Sequence, residues 1–204
     1  MLSFKRKLIT EAAAKNTHMK HIEDLVLDGG VKGARQAILA LRALRDMLSG
    51  NAKVPVDVTV KWDGAPAIFA GLDPSDGKFF VAKKGIFNAN PKVYKSHEDI
   101  KADTSGDLSS KLIKAFDNLK DLGITGVIQG DFMFDKSDVK TETINGIKHV
   151  TFHPNTIVYA VPVGTPLAKE ITKADIGIVW HTGYDGATFE TMRAEFGKEI
   201  VPKL

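Results

Sequence analysis

Val54-Pro55-Val56-Asp57-Val58-Thr59-Val60-Lys61-Trp62-Asp63-Gly64 is the stretch whose reading decides the fold. Val56, Val58 and Val60 alternate with Asp57, Thr59 and Lys61, the period of a half-buried strand. Asp63-Gly64 interrupts the alternation, and Ala67-Ile68-Phe69-Ala70 resumes it. Asp73-Pro74-Ser75-Asp76-Gly77 is a turn signal, and Lys78 to Lys83 again reads as a strand. A β-hairpin is therefore expected to begin just after Lys61.

On the N-terminal side, the first thirty residues are polar and end in the turn signal Asp28-Gly29-Gly30. A helix is expected from about Val31 to Leu48, with Ala34, Ile38, Leu41, Leu44 and Leu48 at helical spacing and Gly50-Asn51 as its stop. Arg35, Arg42 and Arg45 fall on its more polar side, which reads as a solvated face. On the C-terminal side, Leu108, Leu112, Phe116 and Leu119 predict a helix over Leu108–Leu122, ended by Gly123. Strands follow at Gly126–Phe134, Thr141–Ile144 and Ile147–Phe152, the last two joined by the tight-turn pair Asn145-Gly146. Further strands are expected at Thr156–Val161 and Ile176–His181, and a closing helix at Thr188–Phe196. Strands outnumber helices and hairpins recur, so the expected class is α+β with mainly antiparallel sheets flanked by helices.

Composition narrows the function classes. The chain has 204 residues, 43% hydrophobic and 26% charged, which fits one globular domain with a substantial core or one domain plus a small appendage. The expected division is a helical segment over 1–50 and a core over 51–204. No run approaches the roughly 18 apolar residues of a membrane span, and MLSFKRKLITEAAAKN lacks the apolar run of a secretory signal. The absence of cysteine excludes disulfides and thiolate metal sites and fits a reducing cytoplasm. The net charge of +3 leans weakly towards a phosphate-rich partner.

Lys61-Trp62-Asp63-Gly64 resembles the first motif, Lys-x-Asp-Gly, of the covalent lysine nucleotidyltransferases: ATP-dependent DNA and RNA ligases and GTP-dependent capping enzymes. Three fixed residues recur by chance about once in 8,000 positions, so the weight lies in the order of further matches. Phe80-Val81-Ala82-Lys83-Lys84-Gly85 resembles the next motif, a basic residue before Gly. Gly126-Val127-Ile128-Gln129-Gly130-Asp131-Phe132 resembles the third, with Asp131 where Glu is usual. Thr156-Ile157-Val158-Tyr159-Ala160 resembles the aromatic-bearing strand that stacks on the purine. Ile176-Gly177-Ile178-Val179 resembles the fourth motif, Glu-Gly-Ile-Val.

The resemblance implies a nucleotidyltransferase fold in which Lys61, preceded by Val60, attacks the α-phosphate of ATP and carries AMP to a nucleic-acid 5′-phosphate. The amine must be unprotonated to attack, so nearby cations or desolvation must lower its pKa. Asp63 and Gly64 would shape the turn and approach the ribose, while Lys83 or Lys84 would hold phosphate oxygens. Tyr159 and Ile178 would meet the base, and Asp131 would hold Mg²⁺, with Asp175 a second candidate. Ile176 stands where the family has its metal-binding Glu, and Asp185 is another candidate carboxylate. The fifth motif, Lys-x-Lys, is not evident after Val179, although Lys198 and Lys203 follow. The chain is therefore read as shortened at its C-terminus, divergent or inactive. Pro66, where DNA ligases carry Arg, tilts the resemblance towards an RNA-ligase relative of the kind bacteriophages encode, and so towards host cytoplasm.

Three readings stay open: an ATP-dependent ligase core acting on RNA rather than DNA, with the capping-type GTP transferase as its neighbour; a nucleic-acid-binding module of that fold without catalysis; and an unrelated α+β protein. His18 and His21 read as exposed, and His153 and His181 as structural or pocket-lining.

Overall fold

The computed structural model describes residues 21–51 and 62–195. The expected strand over Val54–Lys61, including Val60 and Lys61, lies outside the described residues, as do His18, Lys198 and Lys203. The chain divides into two units, Met1–Val60 and Lys61–Leu204.

In the first unit, helix α1 spans Ile22–Leu48. Asp24 accepts a hydrogen bond from the His21 amide at 2.8 Å and so closes the first turn. Gly30, at φ 51° and ψ −137°, breaks the helix where Asp28-Gly29-Gly30 predicts a turn, but helix also precedes the break. At Gly33 the second half passes so close to the first that a Cβ would overlap the Leu25 carbonyl. The buried residues of α1 are thus Gly33 and Ala37, not the expected apolar stripe. Gly50, at φ 72°, lies just beyond the end of the helix.

The second unit is mixed α+β with antiparallel sheets. A five-stranded sheet has the order β2 (Phe79–Ala82), β1 (Ala67–Leu72), β3 (Val127–Asp135), β7 (Ile176–Asp185), β8 (Arg193–Glu195). A three-stranded sheet consists of β4 (Lys140–Ile144), β5 (Ile147–Phe152) and β6 (Tyr159–Pro162). The β1–β2 hairpin turns where Ser75 and Gly77 bond back to Asp73. In the β4–β5 hairpin, Asn145 and Gly146 take φ 50° and 80°, the left-handed pair that matches strand twist.

β3 is buried along its whole length, including the polar Gln129, Asp131 and Asp135. One face of its sheet packs Ile68, Val81, Ile128 and Phe132 against α2 (His97–Asp103) and α3 (Gly106–Leu119), through Ile100, Leu112 and Ala115. The opposite face carries Phe69, Phe80, Val127 and Tyr184. At the far end of β3, Met133 and Phe134 join Val150 and Phe152 of the small sheet and Ile171 of α4 (Pro166–Lys173).

Two helices escape the apolar-periodicity reading because they are short. Both are set by caps: Ser96 accepts from the Asp99 amide, and Thr165 accepts from Ala168 ahead of Pro166. The expected closing helix at Thr188–Phe196 is a correction. Thr188 and Thr191 bond each other's backbone and side chains in a turn, and the chain then enters β8.

Burial would raise the Asp135 carboxyl, but hydrogen bonds from Lys114 and Ser137 bring it down to about 2. Its folded value lies below its ordinary one, so its stabilisation is present above about pH 4 and lost as pH falls through about 2. Asp135→Asn should therefore flatten the acid limb of a stability-against-pH curve, and a variant as acid-sensitive as wild type would refute that assignment. Leu112→Ala, at a fully buried position, should cost about 2–5 kcal/mol in urea unfolding.

Candidate functional site

The segment Trp62–Pro66 docks on β3. The Ala65 amide donates to the Phe132 carbonyl and the Phe132 amide donates to the Pro66 carbonyl, both at 3.0 Å. Gly64 is pressed between them and Asp131: a Cβ would stand 2.6 Å from the Phe132 oxygen and 3.0 Å from the Asp131 Cβ. The motif's glycine is thus required by close backbone approach.

Asp63 is held from the small sheet. Its amide donates to Tyr159 Oη at 2.8 Å, and its carbonyl accepts from the same hydroxyl at 3.1 Å. Asn155 donates to the Asp63 carboxylate at 2.9 Å and to its carbonyl at 3.2 Å. Trp62 stacks on Tyr159 at 4.9 Å between centroids, and Tyr159 stacks on Phe152 at 5.4 Å, each pair within 15° of parallel. Tyr159 therefore clamps the motif, and its stacking partners are protein rings. The expected role of Tyr159 was a stacking face for the purine; here its ring stacks on Trp62 and Phe152.

Asp131 is buried on β3, with Oδ2 at 3.5 Å from the Gly64 amide. Across the sheet, Gln129 pairs with Thr182 but Gly130 pairs with Trp180, so His181 is the extra residue of a β-bulge. A Cβ on Gly130 would lie 2.5 Å from the Val179 oxygen and 2.8 Å from the Trp180 ring. The bulge brings His181 Nε2 to 3.7 Å from Asp131 Oδ1, with side chains 17% and 10% exposed. His181 Nδ1 lies 2.7 Å from Thr182 Oγ1.

The remaining expected residues sit elsewhere. Ile178 pairs with Phe132 and packs on the helix side, whereas Val179 stands across from Asp131. Strand alternation therefore turns Ile178 away from Asp131. Asp175 precedes Ile176, which pairs with Asp135, four residues from Asp131 and so roughly 13 Å along the strand. It is exposed and 3.4 Å from Lys136 Nζ, so the structure does not bring it to Asp131. Asp185, opposite Arg193, lies at the other end of β7. Lys83 is bound to Asp103 of α2 at 2.8 Å, away from Asp131. Lys84 is exposed just beyond β2, which lies two strands, roughly 10 Å, from β3. Among the described residues, no group of three or more metal-ligating side chains comes together.

Beside Trp62 opens a cavity of about 560 Å³ whose walls include Met133, Phe152, Ile171, Val179 and Trp180. Val179, in the wall of this cavity, is the cross-strand neighbour of Asp131.

A family model described as "Family of unknown function (DUF6267)" matches residues 16–203. The chain belongs to that family. No curated protein and no solved structure matches it. For this family member, the site rests on geometry. Asn155 and His181 are the contributors that sequence reading did not assign to it. Strand alternation gives no sign of a bulge, and only the Gly130 signal, a small residue before Asp131, hints at close strand approach.

Tyr159→Phe should keep the ring stack but remove both hydroxyl contacts to Asp63. Hydrogen exchange at the Asp63 amide should accelerate, with a stability loss of about 1 kcal/mol. Unchanged exchange at that amide would show that Tyr159 does not hold the motif.

Proposed function

We propose that this chain is an ATP-dependent nucleotidyltransferase of the polynucleotide-ligase type, with Lys61 as the nucleophile. The observation that carries the reading is the contact between Gly64 and Asp131. Two motif residues 67 positions apart are brought together, as a shared phosphoryl-transfer site requires.

The unprotonated Lys61 amine attacks the α-phosphorus of ATP. A nitrogen–phosphorus bond forms, the bond to the bridging oxygen breaks, and pyrophosphate leaves while the amine proton passes to solvent. A 5′-phosphate oxygen of the nucleic acid then attacks the same phosphorus and frees the lysine. The incoming 3′-hydroxyl displaces AMP and joins the strands. Phosphoryl transfer depends mainly on alignment and charge neutralisation. Asp131, a hard oxygen donor beside the motif, suits the expected Mg²⁺, which when bound offsets phosphate charge. The apolar cavity beside Trp62 suits a nucleobase, replacing the expected platform on Tyr159. RNA is the expected polynucleotide, from the resemblance at Pro66.

A binding module without catalysis is the second reading. It is favoured by β7, which sets Val179 and His181 rather than a second carboxylate against Asp131.

Intact-protein mass after incubation with ATP or GTP and Mg²⁺ tests the proposal. Wild type should gain one nucleotide, Lys61→Ala none, and Asp131→Asn should react roughly 10²-fold more slowly or worse. The base retained separates the ligase type from the capping type. An unmodified wild type gives the lead to the binding module.

A further inference from the structure

We propose that Asp131 and His181 together form a mixed oxygen–nitrogen cation site, selective for a first-row transition ion such as Mn²⁺ over Mg²⁺. As the cofactor of the transferase, this rests on the proposed function; as a binding site, it stands on its own geometry.

The Nε2–Oδ1 separation of 3.7 Å is too long for a hydrogen bond. It is close to the separation of two ligands on one ion. Bonds of about 2.1 Å put ligand atoms about 3.4 Å apart in a tetrahedral arrangement and about 3.0 Å apart in an octahedral one. Closure of about 0.3 Å for tetrahedral or about 0.7 Å for octahedral coordination, within reach of a side-chain rotation, would therefore seat the ion.

The other ring nitrogen is held as metal-bound histidines usually are. His181 Nδ1 lies 2.7 Å from the Thr182 hydroxyl, which fixes the ring plane and aims Nε2 at Asp131. A hydroxyl both donates and accepts. With Nδ1 protonated and donating to Thr182, Nε2 presents its lone pair to the ion. With the other tautomer, Thr182 donates to Nδ1. Rotation of one hydroxyl accommodates either state, so cation binding does not orphan a buried group.

The bulge is the structural device. Regular pairing would place only Trp180 and Val179 across from Gly130 and Asp131, and the extra residue brings a nitrogen ligand to the carboxylate. The donor set then decides the ion. A nitrogen donor favours first-row transition ions over Mg²⁺, which takes oxygen ligands and keeps its water; Mn²⁺, at the weak end of that series, accepts both donor types. Among the described residues Asp131 and His181 are the two protein ligands, and water and triphosphate oxygens suit further positions.

The experiment is pulsed electron paramagnetic resonance of Mn²⁺ added to the full chain, with and without ATP, in parallel with the nucleotide-adduct mass. Wild type should show a nitrogen coupling from a directly bound imidazole. The coupling should vanish in His181→Gln, with Mn²⁺ affinity reduced at least ten-fold, and Thr182→Val should weaken binding about 10-fold or more. Because the coupling is read on wild type, a poorly folded variant does not blunt the test. Mn²⁺ with only water and phosphate couplings, or no bound Mn²⁺ at all, overturns the proposal. An adduct formed with Mg²⁺ but no nitrogen coupling keeps the transferase reading and sinks this one. A nitrogen coupling without an adduct upholds the cation site and sinks the transferase reading.

Discussion

The two main-chain hydrogen bonds joining Ala65 and Pro66 to Phe132 are the constraint on which the site depends. They lay the Trp62–Pro66 segment along the most buried strand of the sheet, so Gly64 contacts Asp131 without any long side chain spanning the gap. Backbone pairing of this kind costs little entropy beyond ordering the loop itself, because β3 is already fixed on both edges by β1 and β7. The small sheet supplies the other half of the restraint. Tyr159 and Asn155 hold Asp63 from the side away from β3, and the Trp62 ring extends the stack towards the cavity.

Around this anchor the lysines of the large sheet and its helices are largely paired. Asp103 accepts from Lys83, Lys92 and Tyr94, and these partners, Lys83 foremost, hold its carboxyl well below the usual range. Tyr94 is pushed above its ordinary value by burial and by that same carboxylate. Lys95 reaches Asp73 at 2.7 Å and Asp76 at 2.9 Å, pinning the β1–β2 turn. Where such pairs face solvent, screening and side-chain entropy keep their contribution to stability modest. Their clearer effect is geometric: Lys83 ties the end of β2 to α2 through Asp103.

Much of the architecture was legible because it rests on local signals. Asn145-Gly146 demanded a tight hairpin, Leu108 to Leu119 carried a helical period, and Gly126 to Phe134 read as a strand. The short helices were less visible because seven or eight residues barely establish a period, so their caps carried the signal. Site residues fared worse for a different reason. A motif match assigns a role by position along the chain, but a side chain's direction depends on register. At the bulge, register shifts by one residue, which gives His181 the position beside Asp131 and leaves Ile178 in the helix-side core. Asp175 sits next to Lys136 beyond the start of β7, and Tyr159 joins a ring stack, placements that strand pattern does not encode.

The ring stack also gives the molecule an internal optical marker. The chain has two tryptophans, and both line the cavity beside the motif. Trp180 packs at the helix-side core, while Trp62 lies parallel to Tyr159 one residue before Asp63. An indole in that position is quenched or released by any rearrangement of the motif loop. Intrinsic fluorescence of a chain whose other indole has been replaced by phenylalanine would thus follow the motif loop with no label attached.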